Sequence, residues 1–309
     1  MSRSLYICYF GVREPLVRTQ VLPYLRELVK DGHHMSLLTF EPADAVEERG
    51  AKGTEDIRQR LATQGIEWQW LRYHKRPTVP ATFYDVMNGA RVIRRMMKRD
   101  RIDILHTRAH VPAVMAAFAR KGSAYRPKLL FDIRGFVPEE YTDGGIWPEG
   151  GWLYRTVKRI ERWLMRESDG FVVLTERARE ILFDEKKGAF KLAGRPVEVI
   201  PCCVDLKRFE SARPEARKRI RAELGLDGRF VLAYVGSFGG WYMTRETADL
   251  FGAAKARDNS TFALILTHSH PKLIEPLLAA RGYSSRDYVV KKVAANEIAA
   301  YLNGADAAV

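Results

Sequence analysis

The stretch Lys128-Leu129-Leu130-Phe131-Asp132-Ile133-Arg134-Gly135-Phe136 decides how the chain is read. Lys128 to Phe131 has the apolar run of a buried strand. Its carboxyl end opens directly into a glycine-rich loop that carries Asp132, Arg134, Glu139, Glu140, Tyr141 and Trp147. In open parallel sheets, ligands bind outside the carboxyl ends of the strands, so polar residues placed there are site candidates by position alone.

The same alternation extends in both directions. Strand-length apolar runs are expected at Leu5 to Phe10, Met35 to Phe40, Ile66 to Leu71, Ile102 to His106, Phe171 to Leu174 and Val197 to Ile200. Helical periods separate them at Val17 to Lys30 and near residues 85–100, 112–121, 151–167 and 176–184. Beyond Pro201 the pattern breaks, passes a very basic helix from Arg213 to Leu224, and restarts at Phe230 to Val235. Phe262 to Leu266, Pro271 to Ala280, Tyr288 to Val290, Glu297 to Leu302 and Ala305 to Val309 then continue it. Repeated strand and helix predicts α/β doubly wound parallel sheets, in two lobes of residues 1–205 and 206–309. About 100 residues is short for an independent doubly wound lobe, so the second is expected to be incomplete, with its sheet truncated after the last strand.

At 309 residues, 46% hydrophobic and 29% charged, the chain has the composition of a two-core globular protein. No run approaches the roughly 18 apolar residues of a spanning helix, and the start shows no signal-peptide pattern, so a cytoplasmic protein is expected. Three cysteines, two of them the neighbours Cys202 and Cys203, build neither a disulfide framework nor a C-x-x-C metal pattern. His106 with His110, and His268 with His270, lack the third ligand that zinc requires, so no metal is expected. The net charge of +13 and pI near 9.7 imply an anionic partner. No nucleic-acid partner is expected, because no helix-turn-helix, RNA-binding sheet signature or finger spacing accompanies the charge.

Two segments concentrate the positive charge on amphipathic helices. Arg91, Arg94, Arg95, Lys98, Arg99 and Arg101 surround Val92, Ile93, Met96 and Met97; Arg155, Lys158, Arg159, Arg162 and Arg166 accompany Leu153, Ile160, Trp163 and Leu164. Two readings stay open, a solvated outer face or attachment to an anionic membrane. Two further loops are site candidates. Gly236-Ser237-Phe238-Gly239-Gly240-Trp241-Tyr242 follows a strand and leads to a helix marked by Thr244, which suits a diphosphate cradle as well as a plain turn. Gly11, at the exit of the first strand, allows close approach of a ligand, and Glu14 can accept from hydroxyls; a simple helix entry is the other reading.

Taken in order, these residues resemble retaining glycosyltransferases of family 4, whose GT-B architecture has two Rossmann-like lobes. Leu25 to Leu38 with Asp31-Gly32-His33, Asp103 to Arg108, Val172 to Glu176, Val199 to Asp205 with Phe209, and Tyr234 to Ser237 carry the resemblance. It implies transfer of a sugar from a nucleotide-sugar donor to a hydroxyl acceptor, glycan or lipid-linked, with retention and without a cofactor or obligatory metal. Donor-side residues implied are Gly236, Ser237, Phe238, Gly239, Arg245, Thr267 and Val293. The acceptor side holds Gly11, Glu14, Arg108 and Glu140, and Arg134 with Asp132 fall at the catalytic position.

The departures are specific. Cys202-Cys203 stands where the family has Asn-Gly, Arg134 where a His is common, and Ser237 and Tyr242 where relatives carry Arg and Lys. Arg134 is read either as a fixed cation beside phosphate or sugar oxygens, or as the partner of Asp132 or Glu139 in a pair that only shapes the loop. The family's paired glutamates fall beyond Val309. A sugar-nucleotide epimerase and a non-catalytic fragment are the alternatives.

Overall fold

The computed structural model describes residues 1–309 except 122, 184–189, 205, 211, 212 and 241. Asp184 at an expected helix end, Asp205 of the motif after Pro201 and Trp241 of the glycine loop lie outside the described residues. The chain divides into two compact units, residues 1–142 with 146–204, and residues 143–145 with 205–309.

The first unit is a seven-stranded parallel sheet. Its strands are β1 (Arg3–Cys8), β2 (His34–Glu41), β3 (Ile66–Arg72), β4 (Ile104–Arg108), β5 (Lys128–Ile133), β6 (Gly170–Val173) and β7 (Val197–Val199), ordered β3-β2-β1-β4-β5-β6-β7. The order reverses between β1 and β4, where Ile7 lies opposite Thr107. Such a reversal opens a crevice at the carboxyl edge of the sheet. Helices α1 (Leu22–Lys30), continuing a π-helical turn Val17–Val21, and α2 (Ala43–Ala62) belong to this unit, with α3 (Thr78–Arg99), α4 (His110–Arg120), α5 (Val137–Asp143), α6 (Trp152–Glu167) and α7 (Glu176–Phe183).

Both faces of this sheet are covered, which is why β1 and β5 carry the apolar runs Leu5 to Cys8 and Leu129 to Phe131. Successive side chains point to opposite faces. Tyr6 and Cys8 of β1 therefore join Val17, Val21, Leu25 and Leu61 in one core, while Leu5 and Ile7 join Phe40, Ile93, Met97 and Leu105 in the other. The alanines Ala113, Ala116, Ala117 and Ala119 of α4 are buried in or beside this second core. Arg94 of α3 closes the carboxyl end of α4, donating to the carbonyls of Phe118, Ala119 and Lys121 at 2.9, 3.0 and 2.7 Å.

The second unit has four parallel strands, β8 (Val231–Val235), β9 (Phe262–Leu266), β10 (Tyr288–Lys291) and β11 (Ala307–Ala308), in the order β10-β9-β8-β11. Its helices are α8 (Lys207–Glu210), α9 (Arg213–Glu223), α10 (Thr244–Arg257), α11 (Glu275–Ala279) and α12 (Ile298–Gly304). Asp306 ties the last strand in place. It accepts from Val231 N at 2.8 Å and from Arg217 and Arg221 at 2.6 and 3.2 Å, and the same two arginines donate to the Ala305 and Gly304 carbonyls.

The expected strands are present, with shifted ends. β1 stops at Cys8, leaving Phe10 exposed in the loop, and β4 runs on to Arg108. Two helices depart from the expected pattern. α2 is missing from it because its axis kinks at Gly50 and only Ile57 and Leu61 are buried. The segment after β5, read as a loop, forms α5, in which Glu140 N donates to the Phe136 carbonyl at 2.8 Å. Among the described residues no helix is long and apolar enough to cross a membrane.

Candidate functional site

The carboxyl ends of β1, β4 and β5 bring Arg108, Asp132 and Arg134 together around Gln20. Arg108 and Asp132 are register partners on neighbouring strands. Arg108 donates to Gln20 Oε1 at 2.7 Å, and Arg134 donates to the same oxygen at 3.1 Å. Arg134 also lies 3.5 Å from Asp132 Oδ1, a long contact. Glu139, the other expected partner of Arg134, is engaged by Lys158 instead, at 3.0 Å. The Cys202 thiol closes one side, 3.7 Å from Arg134 and 3.8 Å from the Gln20 amide nitrogen.

Behind this group the wall is aromatic. The His106 ring lies tilted against Tyr6 with centroids 4.4 Å apart, and its Nε2 lies 3.6 Å from Asp132 Oδ2, beyond hydrogen-bond reach. Burial pushes the Tyr6 phenol far above its usual range; the Asp132 charge adds to this and Arg108 opposes it. Burial likewise pushes the Cys8 thiol up to about 11, again against Arg108. Both groups therefore stay neutral. His110 belongs elsewhere, paired with Glu161 at 3.0 Å.

The remaining first-unit candidates sit on the surrounding turns. Gly11 is buried, and a Cβ there would come within 3.1 Å of Glu41, whose carboxylate accepts from Val12 N at 2.8 Å. This close approach accounts for the glycine with or without a ligand. Glu14 is exposed on the same turn, its N–H bonded to the Gly11 carbonyl at 3.0 Å. Glu140 is exposed on α5, with its carboxylate folded over Gly135.

In the second unit, N–H groups of the glycine loop are already engaged, among them Tyr242 N, which donates to the Gly239 carbonyl at 3.2 Å. Gly236 N donates to the Leu266 carbonyl at 3.2 Å, Phe238 N to Ser269 Oγ at 2.9 Å, and Gly239 N to Thr244 Oγ1 at 3.0 Å. Thr244 thus fastens the loop to the start of α10. The Tyr234 ring stacks on Phe238 at 4.7 Å and occupies the place a Cβ at Gly236 would take, 2.7 Å from the phenol oxygen. Ser237 offers its carbonyl to the same phenol at 2.8 Å. Arg245 is exposed in the first turn of α10. Thr267 is buried, its hydroxyl accepting from Ser269 N at 3.0 Å, and Val293 is buried in the core with Leu264 and Tyr301. Val293 consequently offers a ligand little beyond its main chain.

Sequence reasoning missed the central place of Gln20. A lone glutamine on a helix carries no motif, and only the reversal of strand order brings it beside residues 88 and 114 positions away.

The family model of Glycosyltransferase Family 4 matches residues 17–208, well over half of the chain. A 2-deoxystreptamine glucosyltransferase of Streptomyces kanamyceticus is 30% identical over 156 residues, which cover 48% of this chain and 38% of that protein. The fold is similar to that of sucrose-phosphate synthase from Thermosynechococcus elongatus, with a TM-score of 0.68 and 16% identity over 100% of this chain and 75% of the other. It is also similar to that of a UDP-GlcNAc 2-epimerase from Neisseria meningitidis, with a TM-score of 0.60 and 11% identity over 99% and 76%. At such identities the two structures speak to the fold alone. The extent of the sequence match, carried on the unit that holds the Arg108, Arg134 and Asp132 cluster, shows that this chain belongs to Glycosyltransferase Family 4.

Proposed function

We propose that the protein transfers a hexosyl group from a nucleotide-sugar donor to a hydroxyl of a glycan or lipid-linked acceptor, with retention of configuration. Family membership supports the reaction class. The observation that carries the reading to particular residues is the convergence of Arg108, Arg134, Gln20 and Asp132 at the reversal of strand order, where open parallel sheets receive ligands. These residues serve the acceptor side. The glycine loop and Arg245 serve the donor, whose leaving diphosphate is stabilised by N–H dipoles and cations without a divalent ion. With the N–H groups of Gly236, Phe238, Gly239 and Tyr242 engaged internally, that work falls to the first turn of α10 and to Arg245. Retention needs no carboxylate base opposite the leaving group, in keeping with Asp132 being held among His106 and Arg134.

The acceptor reading extends to location, on the inner face of an anionic membrane. A cleft of about 370 Å³ has an apolar floor of Met87, Ala90 and Phe118 and a rim of Arg91, Arg94, Arg95 and Lys98. Arg94 is committed to the end of α4 and Arg99 pairs with Asp100 at 2.5 Å, so Arg91, Arg95 and Lys98 supply the attraction. On α6, Lys158 is withdrawn into pairs with Glu161 and Glu139 at 2.6 and 3.0 Å, leaving Arg159, Arg162 and Arg166 exposed.

The test is incubation with radiolabelled nucleotide sugars and a panel of glycan and polyprenyl-linked acceptors, with the anomeric configuration of the product read by proton NMR. Label in the acceptor with the donor's configuration is the expected result. Inverted product overturns retention, and label found only in a rearranged nucleotide sugar or free sugar overturns transfer.

A further inference from the structure

Charge is unbalanced at the edge that holds Gln20. Arg108 has only 6% of its surface exposed, yet among the described residues no carboxylate lies within ion-pair distance of it. Its partners are neutral, the Gln20 carbonyl oxygen at 2.7 Å and the Tyr6 hydroxyl. Arg134, with 16% of its side chain exposed, has the long 3.5 Å contact to Asp132 and a buried Nε without a partner. Asp132 is shared, since its other oxygen faces His106. One carboxylate thus reaches only one of the two guanidiniums, and an arginine does not relieve the imbalance by losing its proton.

A buried charge that is not paired is costly, and a single amide oxygen cannot neutralise two cations. The arrangement is complete only with an anion. Planar guanidinium forks match phosphate and carboxylate oxygens, and two forks already turned toward one point need little reorganisation to receive such a group. Gln20 holds them there in its absence.

We infer that the Arg108–Gln20–Arg134 cluster is an oxyanion subsite and that the acceptor is anionic, carrying a phosphate or carboxylate group near its reacting hydroxyl. The acceptor assignment rests on the transferase reading above; the subsite itself does not. Other sources of the same chemistry are inorganic phosphate and the diphosphate of the donor.

Isothermal titration of the full chain at low ionic strength, with inorganic phosphate, glucose 6-phosphate, glucose and UDP in separate arms, tests the inference. Phosphate and glucose 6-phosphate are expected to bind saturably and competitively, and glucose not at all. Arg108→Gln should weaken phosphate binding at least tenfold. Because that variant can also disturb packing, Gln20→Glu is the second arm: it places a carboxylate between the two guanidiniums, and should raise the melting temperature while weakening phosphate at least tenfold. Arg134→Lys keeps the charge, loses the fork and should weaken binding to a lesser degree. No saturable phosphate binding, or binding unchanged in Gln20→Glu, overturns the subsite. UDP displaced one for one by phosphate and lost in the same variants assigns the anion to the donor and overturns the acceptor claim. Phosphate binding lost in the variants, with no transfer to any acceptor, defeats the transferase reading while the subsite stands.

Discussion

Glu41 and Arg49 meet at 2.8 Å with 1% and 3% of their side chains exposed. The Arg49 guanidinium lies 5.5 and 5.6 Å from the Trp68 and Trp70 ring centroids, and Glu41 also accepts from Val12 N and Thr39 Oγ1. Removing one partner strands the other charge out of water. Arg49→Met should therefore destabilise the first unit by about 3–5 kcal/mol. Glu41→Gln combined with Arg49→Met should cost less than the sum of the single changes by about 1 kcal/mol or more. Urea unfolding of the four proteins measures the cycle, and strict additivity would count against a coupled pair.

Gly236 is a matter of space. An added Cβ would meet the Tyr234 ring at 2.7–3.1 Å, so Gly236→Ala should cost about 1–3 kcal/mol by displacing that ring from Phe238. In a Tyr234→Leu background the same change should cost appreciably less. An equal cost in both backgrounds would place the strain in the backbone instead.

Acid should loosen the second unit through Asp306. Burial raises its pKa, but bonds from Val231 N, Arg217 and Arg221 more than offset this and leave it below the ordinary carboxylate value. A depressed folded-state pKa means stability that is complete above the unfolded value, near 3.9, and is lost as the pH falls through the folded one. Unfolding free energy should thus drop below about pH 4. Asp306→Asn should remove about 2 kcal/mol at neutral pH and flatten the acid slope. Denaturant titrations at pH 7, 4 and 3 read both effects; an unaltered slope in the variant would assign the acid response to other groups.

The rim of the α3 cleft separates two roles that look identical in sequence. Arg91→Gln, Arg95→Gln and Lys98→Gln together should cut sedimentation with anionic vesicles by tenfold or more while leaving the melting temperature within a degree or two, since each cation near such a surface contributes on the order of 1 kcal/mol. Arg94→Gln should do the opposite, lowering the melting temperature by freeing the α4 carbonyls and sparing most vesicle binding. Equal partition of the native protein onto neutral vesicles would remove the electrostatic account.

The fold was legible because buried parallel strands leave long apolar runs, as in Leu5 to Cys8 and Phe262 to Leu266. α2 was not, since its burial rests on two residues and its charges serve a pair that only tertiary structure reveals. At the site, Arg108, Asp132 and Arg134 could be picked from their places at strand ends. Gln20 could not, because its importance arises from what two strands and a π-helical turn put beside it. The glycine loop left two readings open in sequence. Its glycines suit a ligand cradle or a plain turn, and only the structure adds that Gly236 answers to a neighbouring tyrosine and the N–H groups of Gly236, Phe238 and Gly239 to the protein's own acceptors.

The closure of α4 by Arg94 turns that helix into a strut of fixed length. Its 11 residues span about 16 Å, from just beyond Arg108 at one end to the Phe118 floor of the cationic cleft near the other. The cleft and the two guanidiniums thus lie near opposite ends of one helix. On the transferase reading proposed above, an acceptor rooted in a surface at the cleft has to reach along the helix to the two guanidiniums, so its length is selected as well as its charge.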